Sequence, residues 1–231
     1  GGWSQKTAGG FYAAPACGDL DSDGLPEIVA CNALGQVYAW HGDGTLASGW
    51  PQDALGEADS PLLADLNGDG LPEVITASVS GQVSAWRGDG SPFPGWPIGL
   101  PTPFRSAPVA GDLNGDGMLE IVAVSEDAAY AWRYDASPLK GWPITGAPGS
   151  CGASPALADL DGDGTLEVIS PTRMGGVGAW RYDGRPLPGW ENLACPRSLS
   201  SPVVGDIDGD GHPEVIVVGD DYHESIYAYH N

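Results

Sequence analysis

Short apolar runs rich in β-branched residues alternate with Gly- and Pro-containing turns along the whole chain. Runs such as "SPVVGD", "PEVIVVG" and "SIYAYH" are too short and too often interrupted for helices, so they favour strands. We label these three types A, B and C, and label the recurring "GWP" segments D. Type B is apolar on both faces, which is typical of a strand packed between neighbouring sheets.

One segment has a different local preference. Residues 125–136, "SEDAAYAWRYDA", are alanine-rich and have good helix propensity. Their alignment with the C segments of the other copies predicts a strand here instead.

The strand pattern repeats five times. An acidic stretch such as "GDLDSDGLPEIV" begins each copy, and its first aspartates are 46 or 47 residues apart. The approximate repeats are 4–50, 51–96, 97–142, 143–190, and 191–231 plus 1–3. Four strands in about 47 residues are typical of a β-propeller blade. The sequence therefore predicts an all-β fold, a five-bladed β-propeller of four-stranded antiparallel blades, forming one domain over residues 1–231.

The ends of the chain predict how the ring closes. Trp3 lies 16 residues before Asp19, just as Trp96 precedes Asp112, and the fifth repeat lacks a "GW" of its own. Residues 1–3 are therefore expected to supply strand D of the last blade. The alternative is that this strand completes the blade of another chain, which would give a homo-oligomer or a filament.

Composition and charge limit the secondary structure and the binding partners that the chain can have. The 36 Gly and 21 Pro leave little room for long helices, and the formal charge of −22 disfavours nucleic acid and anionic membranes. No apolar run reaches the roughly 18 residues of a membrane helix, so we expect no membrane insertion. The start "GGWSQ" has no basic-then-apolar leader, and we expect a mature or excised soluble piece.

The five acidic loops follow the pattern D-x-[DN]-x-D-G-x-x-E. We number them loop 1 (19–27), loop 2 (65–73), loop 3 (112–120), loop 4 (159–167) and loop 5 (206–214). This pattern resembles the start of an EF-hand loop, which has oxygen ligands at positions 1, 3 and 5, a turn at the glycine of position 6 and a backbone oxygen at position 7. The glutamate, however, is at position 9 here and at position 12 in the EF-hand. The predicted metal ligands are Asp19, Asp21, Asp23, Leu25, Glu27; Asp65, Asn67, Asp69, Leu71, Glu73; Asp112, Asn114, Asp116, Met118, Glu120; Asp159, Asp161, Asp163, Thr165, Glu167; Asp206, Asp208, Asp210, His212, Glu214.

Such an oxygen-rich set predicts Ca²⁺, about five ions with one per blade. The alternative is that Asp, Asn and Gly simply make good turns. A turn needs two or three such residues, however, and not a glutamate at the same offset in every copy. Five Ca²⁺ would change the formal charge from −22 to about −12. We expect a structural role for the ions, and their typical affinity in extracellular modules, about 10⁻⁴ to 10⁻³ M, predicts a secreted or cell-surface protein.

The four cysteines are Cys17, Cys31, Cys151 and Cys195, with no zinc spacing. Cys17 and Cys31 flank loop 1 at almost equal distances. If that loop is a hairpin tip, they either form a disulfide or remain as two buried thiols. Cys151 and Cys195 would be the remaining pair.

The five loops, together with the "AW" and "GWP" motifs, resemble the FG-GAP/VCBS repeat family, which includes integrin alpha-subunit propellers. The resemblance covers essentially the whole chain. It implies a propeller that holds Ca²⁺ through loop positions 1, 3, 5, 7 and 9, and an adhesive or carbohydrate-binding role more often than an enzymatic one. Family propellers usually have six or seven blades, so the five copies here depart from the family.

Recurrence at the same place in several repeats favours a packing role for a residue over ligand binding. All nine Trp occupy repeated positions, which favours packing, and the "RGD" at 87–89 occupies a slot shared with other repeats. Unrepeated residues fall at the other ends of the strands. Among them, the predicted ligand-binding residues are Phe104, Arg105, Tyr222 and His223. The alternative is that these loops simply vary in sequence without binding a ligand.

The sequence therefore predicts a non-enzymatic binding or adhesion module for a glycan or extracellular protein ligand. It would be lectin-like at its most specific. The alternative is a structural subunit of a cell-surface polymer.

Overall fold

The computed structural model describes residues 2–146, 152–172, 176–193, 200–219 and 225–230. The regular elements in these residues are β-strands. Among these residues, no helix has the length and apolar character needed to cross a membrane. The chain divides into two compact units, Gly1–Pro108 and Val109–Asn231.

The first unit contains two antiparallel four-stranded sheets, each with its strands in chain order. Sheet 1 consists of β1 (Ala16–Gly18), β2 (Glu27–Cys31), β3 (Gln36–Trp40) and β4 (Gln52–Asp53). Sheet 2 consists of β5 (Leu62–Ala64), β6 (Glu73–Ala77), β7 (Gln82–Trp86) and β8 (Ile98–Gly99).

The second unit contains two antiparallel four-stranded sheets and, among the described residues, one antiparallel three-stranded sheet. Sheet 3 consists of β9 (Val109–Gly111), β10 (Glu120–Val124), β11 (Ala128–Arg133) and β12 (Ile144–Thr145). Sheet 4 consists of β13 (Ala156–Ala158), β14 (Glu167–Pro171), β15 (Val177–Trp180) and β16 (Pro186–Leu193). Sheet 5 consists of β17 (Val203–Gly205), β18 (Glu214–Val218) and β19 (Ile226–Tyr229).

These elements confirm the predicted all-β fold of repeated four-stranded sheets. The ambiguous alanine-rich segment contains β11 and is a strand, as predicted. Every residue of β6, β10 and β14 is buried, which agrees with the prediction that B strands pack on both faces. The fourth strands differ from the prediction, because β4, β8 and β12 are only two residues long and follow the "GWP" segment rather than containing it.

The tryptophans pack neighbouring sheets together within each unit, as their repetition predicted. Eight of the nine are between 2% and 7% exposed, and the exception is Trp3 at 38%. The Trp50 indole Nε1 donates a hydrogen bond to the Gly88 carbonyl oxygen of the next repeat, at 2.8 Å. Trp142 makes the same contact with Tyr182, also at 2.8 Å. Each "GW" segment in these pairs is thus anchored on the repeat that follows it.

The glycine of the "GW" motif is required by this packing. Gly49 has φ of +83°, and a Cβ atom built there would lie 1.8 Å from the Asp89 carbonyl oxygen. No side chain fits at that distance, so the close approach of the two repeats depends on glycine.

Of the two alternatives for Cys17 and Cys31, the disulfide is wrong, because both residues are free thiols, and of the two only Cys31 is buried. Cys17 lies opposite Ile28, three positions away from Cys31 along β2. Three strand residues span about 10 Å, whereas a disulfide joins Cα atoms less than about 7 Å apart. The prediction centred the hairpin midway between the cysteines, but the register centres it between residues 22 and 23. Cys151 and Cys195 lie outside the described residues.

Candidate cation sites in the acidic loops

Each acidic loop connects the first two strands of its sheet. The glutamate at position 9 is the first residue of the second strand in all five sheets. Across the hairpin it pairs with the last residue of the first strand, as Gly18 does with Glu27. The sheet therefore fixes the backbone of the glutamate, while the loop folds over its side chain.

The carboxylate of the first aspartate closes each loop. Its Oδ1 atom accepts a hydrogen bond from the backbone N–H at position 4, at 2.7 to 2.8 Å. Its Oδ2 atom accepts one from the glycine N–H at position 6, at 2.8 to 3.0 Å. One side chain thus satisfies two backbone donors and holds the turn closed.

Two positions in each loop adopt positive φ. Position 6 is glycine in every copy, with φ between 83° and 92°. Position 4 is glycine in loops 2 to 5 and Ser22, with φ of 65°, in loop 1. The turn was predicted at position 6 alone, although the glycine that four copies share at position 4 also indicates positive φ there.

The glutamate at position 9 is buried in every loop, with at most 2% of the residue exposed. Its Oε2 atom accepts a hydrogen bond from the backbone N–H at position 2, at 2.8 to 3.0 Å. Burial, assisted by the neighbouring loop aspartates, raises the pKa of Glu73, Glu120 and Glu167, the last to about 7. Without a cation, loops 2, 3 and 4 therefore disfavour the charged form of Glu73, Glu120 and Glu167.

Loop 4 contains a carboxylate oxygen that needs a partner. The Oε1 atom of Glu167 is buried and has no hydrogen-bond partner among the described residues. Ligand oxygens of Asp159, Asp161 and Glu167 all lie within 4.8 Å of one another. An unpaired buried oxygen is unfavourable, and a cation between these three groups would pair it and offset their repulsion.

The same convergence occurs in loops 1 and 5. The three aspartates at positions 1, 3 and 5 lie within 4.8 Å of one another in both loops. In loops 2 and 3 asparagine replaces the aspartate at position 3, and its amide lies 3.5 Å (Asn67) or 2.8 Å (Asn114) from an oxygen of the position 9 glutamate. The structure therefore brings predicted side-chain ligands together in loops 1, 4 and 5, whereas in loops 2 and 3 an amide nitrogen faces the glutamate. Metal ligation by these side chains and by the backbone oxygen at position 7 stays a prediction.

A basic residue not predicted as part of the site recurs at the end of the third strand in all five repeats, and it contacts loop acids in loops 1, 4 and 5. The five residues at this position are His41, Arg87, Arg133, Arg181 and His230. The Arg181 guanidinium pairs with Asp161 at 2.5 Å, and the Nδ1 atoms of the two histidines lie 2.9 and 3.1 Å from Oε1 of the position 9 glutamate. The hydrogen bond to Glu27 raises the pKa of His41. The recurrence of a base after the strand C aromatic was the signal for this position.

A cavity of about 200 Å³ lies in the first unit, at the strand ends away from the acidic loops. Its lining includes the predicted ligand residues Phe104 and Arg105, together with Tyr12, Glu57 and Asp59. Phe104 is buried and forms a wall, whereas the Tyr12 ring is 82% exposed. Two further predicted ligand residues lie outside the described residues: Tyr222 and His223.

The "RGD" sequence at 87–89 forms a turn that other repeats share. The Asp89 carboxylate accepts a hydrogen bond from the backbone N–H of Ser91 at 2.9 Å. Asp43 and Asp135 make the same contact two residues ahead, at 2.9 and 3.0 Å. The common turn accounts for the aspartate of this motif.

Comparison with solved structures shows the same fold at low sequence identity. The V. cholerae biofilm matrix protein Bap1 matches with 24% identity and a TM-score of 0.73, over 99% of this chain and 40% of its own. Saccharomyces cerevisiae Sqt1 matches with 13% identity and a TM-score of 0.68, over 95% and 59% of the two chains. BamB from Moraxella catarrhalis matches with 14% identity and a TM-score of 0.60, over 91% and 56%. The chain spans about half the length of these proteins, and no curated protein sequence matches it.

Fold and loops together define an all-β repeat protein with a β-propeller-like fold and one acidic hairpin loop in each sheet. FG-GAP-like repeats match residues 19–76, 65–123 and 112–170, which together span more than half of the chain. The chain therefore belongs to the FG-GAP-like repeat family, and the resemblance drawn from its loops is confirmed.

The raised pKa of Glu167 predicts how the metal-free protein responds to pH. Since this pKa rises from 4.5 to about 7 on folding, the folded state binds the proton more tightly than the unfolded state. The contribution of Glu167 to stability is therefore fully present below pH 4.5 and is lost as pH rises through 7. In the presence of a chelator, we expect the free energy of unfolding, measured with urea, to fall between pH 5 and pH 8.

The variant Glu167→Gln is uncharged at both pH values, so we expect a smaller fall in its free energy of unfolding. Glu126→Gln, at an exposed residue outside the loops, serves as the control and should leave the pH dependence of the free energy of unfolding unchanged. Equal pH dependence in the wild type and Glu167→Gln would contradict the assignment.

Proposed function

We propose that the chain is a calcium-stabilised extracellular binding or adhesion module without enzymatic activity. The observation that carries the proposal is the buried Oε1 atom of Glu167, which has no partner among the described residues and lies beside the carboxylates of Asp159 and Asp161. The same loop geometry is present in five copies, so the proposal extends to about five Ca²⁺ ions.

Calcium suits these loops better than other common cations. The donors predicted from side chains and backbone are oxygens, which favour hard cations. Mg²⁺ keeps several of its waters and demands near-ideal octahedral geometry, so a crowded set of carboxylates suits Ca²⁺ better. In this role each ion would neutralise clustered carboxylates and thereby stabilise the folded hairpin.

The setting of the module is also part of the proposal. Sites with dissociation constants of about 10⁻⁴ to 10⁻³ M are filled by extracellular calcium and not by cytosolic calcium. The likeness to a biofilm matrix protein is compatible with an adhesive or structural role outside the cell.

Calcium removal should destabilise the protein. At a calcium concentration 100 times the dissociation constant, each site contributes about 2.7 kcal/mol, and 1 kcal/mol shifts the melting temperature of a protein of this size by about 2 to 4 °C. We therefore expect EDTA to lower the melting temperature by roughly 10 °C or more, as measured by circular dichroism. A melting curve unchanged by EDTA would refute the proposal.

Matched substitutions in loop 4 assign the effect to the site. Asp159→Asn removes the charge that closes the loop, and we expect it to lose one bound Ca²⁺ by calorimetric titration. Asp161→Asn introduces the residue that loops 2 and 3 carry at this position, so it should retain the ion.

We further propose that the five sheets close into a five-bladed propeller, with residues 1–3 completing the last blade. The support is that Trp3 Nε1 donates to the Gly42 carbonyl oxygen at 2.9 Å, as Trp50 does to Gly88 in the next repeat. Trp3 therefore contacts sheet 1 in the way that a preceding "GW" segment would.

Closure within one chain predicts a monomer of 23.7 kDa in calcium buffer, measured by light scattering over a range of concentrations. Trp3→Ala should lower the free energy of unfolding of this monomer by about 1 to 3 kcal/mol. This is less than the roughly 3 to 5 kcal/mol lost when a fully buried tryptophan is replaced by alanine, because Trp3 is partly exposed. A dimer, or filaments visible by electron microscopy, would instead favour strand exchange and the alternative function, a structural subunit of a cell-surface polymer.

Ligand binding is assigned by this proposal to the cavity that contains Arg105. An exposed aromatic ring beside charged and polar groups suits a glycan or a carboxylated extracellular ligand. We expect binding to a glycan array in calcium buffer, and we expect Tyr12→Ala and Arg105→Ala to reduce it at least tenfold. Arg185→Ala, at an exposed arginine outside the cavity, should bind as the wild type does. Wild-type binding by both cavity variants would contradict the assignment.

A further inference from the structure

The five loops share one backbone geometry but differ in two side chains. Loops 2 and 3 combine asparagine at position 3 with an arginine at the end of the third strand. Loop 4 combines Asp161 with Arg181. Loops 1 and 5 combine an aspartate at position 3 with a histidine, namely His41 or His230. Loops 1 and 5 are therefore the most negatively charged, and each offers a nitrogen ligand.

The histidines are placed where a shared metal ion would need them. The atoms of Asp21, Glu27 and His41 that could bind a metal lie within 4.8 Å of one another, and so do those of Asp208, Glu214 and His230. The Nδ1 atom lies 2.9 Å from Glu27 Oε1 in loop 1 and 3.1 Å from Glu214 Oε1 in loop 5. Two ligands each about 2.0 to 2.1 Å from one zinc ion are separated by about 3.0 to 3.4 Å, so small shifts would suffice.

The glutamate oxygen that faces the histidine is the same atom that lacks a partner in loop 4. There the equivalent Oε1 of Glu167 is buried and unpaired among the described residues, so in that loop the atom is available to a cation, whereas in loops 1 and 5 it contacts the histidine. The other oxygen, Oε2, accepts the backbone hydrogen bond in every loop and is not needed for the ion. Loops 1 and 5 thus provide an anchored, buried carboxylate oxygen next to an imidazole nitrogen.

Arginine in the other three loops cannot play this part. A guanidinium has no lone pair to offer a metal, and Arg181 instead pairs with Asp161. Imidazole suits Zn²⁺ and neighbouring transition metals, whereas carboxylate and carbonyl oxygens suit Ca²⁺. Beside loop 1, Asp21, Glu27 and His41 line a cavity of about 380 Å³ together with Arg87 and Asp89 of the next repeat, and this cavity leaves room for water as a further ligand.

We propose that loops 1 and 5 are mixed nitrogen and oxygen sites for a divalent transition metal such as Zn²⁺, with ligands Asp21, Glu27 and His41, and Asp208, Glu214 and His230. Loops 2, 3 and 4 are oxygen-only sites. The inference rests on the proposed role of the loops as cation sites and divides them into two classes. With Zn²⁺ present, the protein would accordingly hold two Zn²⁺ and about three Ca²⁺, in place of the five Ca²⁺ proposed above for the zinc-free protein.

The test is the zinc content of the full chain after equilibrium dialysis against Zn²⁺ in saturating Ca²⁺, measured by mass spectrometry of the elements. We expect two zinc ions per chain, one for each histidine-containing loop. His41→Arg and His230→Arg introduce the residue of the other loops, and each variant should bind one zinc ion fewer. The zinc affinity of the altered loop should fall at least about 100-fold, because the loss of even an outer-shell partner lowers metal affinity 10- to 100-fold. The double variant should retain none.

Two further variants separate the site from general folding effects. Arg181→His places a histidine beside Asp161 and Glu167 in loop 4, and we expect a third zinc ion. His212→Leu changes the histidine at position 7 of loop 5 to the residue of loops 1 and 2, and zinc content should stay at the wild-type value. The ring Nδ1 resonances of His41 and His230 should shift on zinc addition, while those of His212 should not.

Unchanged zinc content in the double variant, or no zinc retained in saturating Ca²⁺, would overturn the inference. The calcium content of the same samples tests the proposed function separately. Zinc in loops 1 and 5 without calcium elsewhere would refute calcium binding and support the inference. Calcium in all five loops without zinc would support calcium binding and refute the inference.

Discussion

The buried carboxylate of the position 9 glutamate is the interaction on which each repeat depends. It begins the second strand, accepts the backbone hydrogen bond that folds the loop over it, and faces the other acids with its remaining oxygen. Such a group is expensive to bury charged, and the raised pKa of Glu167 expresses that cost. A cation bound there, as proposed, would remove this cost, and the stability of the hairpin would then rise with the occupancy of the site.

Repetition keeps this hairpin constant while the base at the end of the third strand varies. Arginine brings a fixed positive charge to the loop, and Arg181 partly neutralises Asp161 before any ion binds. Histidine brings a weaker charge and a lone pair. Because the backbone of the loops hardly differs, any difference in cation affinity or preference among them would come from these side chains and from the asparagine or aspartate at position 3. On the proposed function, the five sites would be similar but not equal.

The sequence was sufficient for features that repetition reveals, and insufficient for those that depend on register. The period, the strand types and the clustering of the loop acids followed from five aligned copies, and the helix propensity of residues 125–136 was overridden correctly because β11 aligns with its counterparts. The Cys17–Cys31 pairing failed because it required the centre of one hairpin to within a residue. The bases that face the loops were missed because strand pairing, and not sequence proximity, brings His41 to Glu27.

The two ends of the strands carry different kinds of information. At one end the same acidic loop recurs with each sheet, and a surface repeated in this way cannot by itself recognise one particular ligand. At the other end the lining of the cavity around Arg105 includes Tyr12, Glu57 and Asp59, which have no counterparts in the other repeats. Ions at the first end would hold the hairpins rigid, and rigid hairpins position the turns from which this cavity is built. The repeated end would therefore act on recognition indirectly, through the stability of the strands that connect it to the varied end.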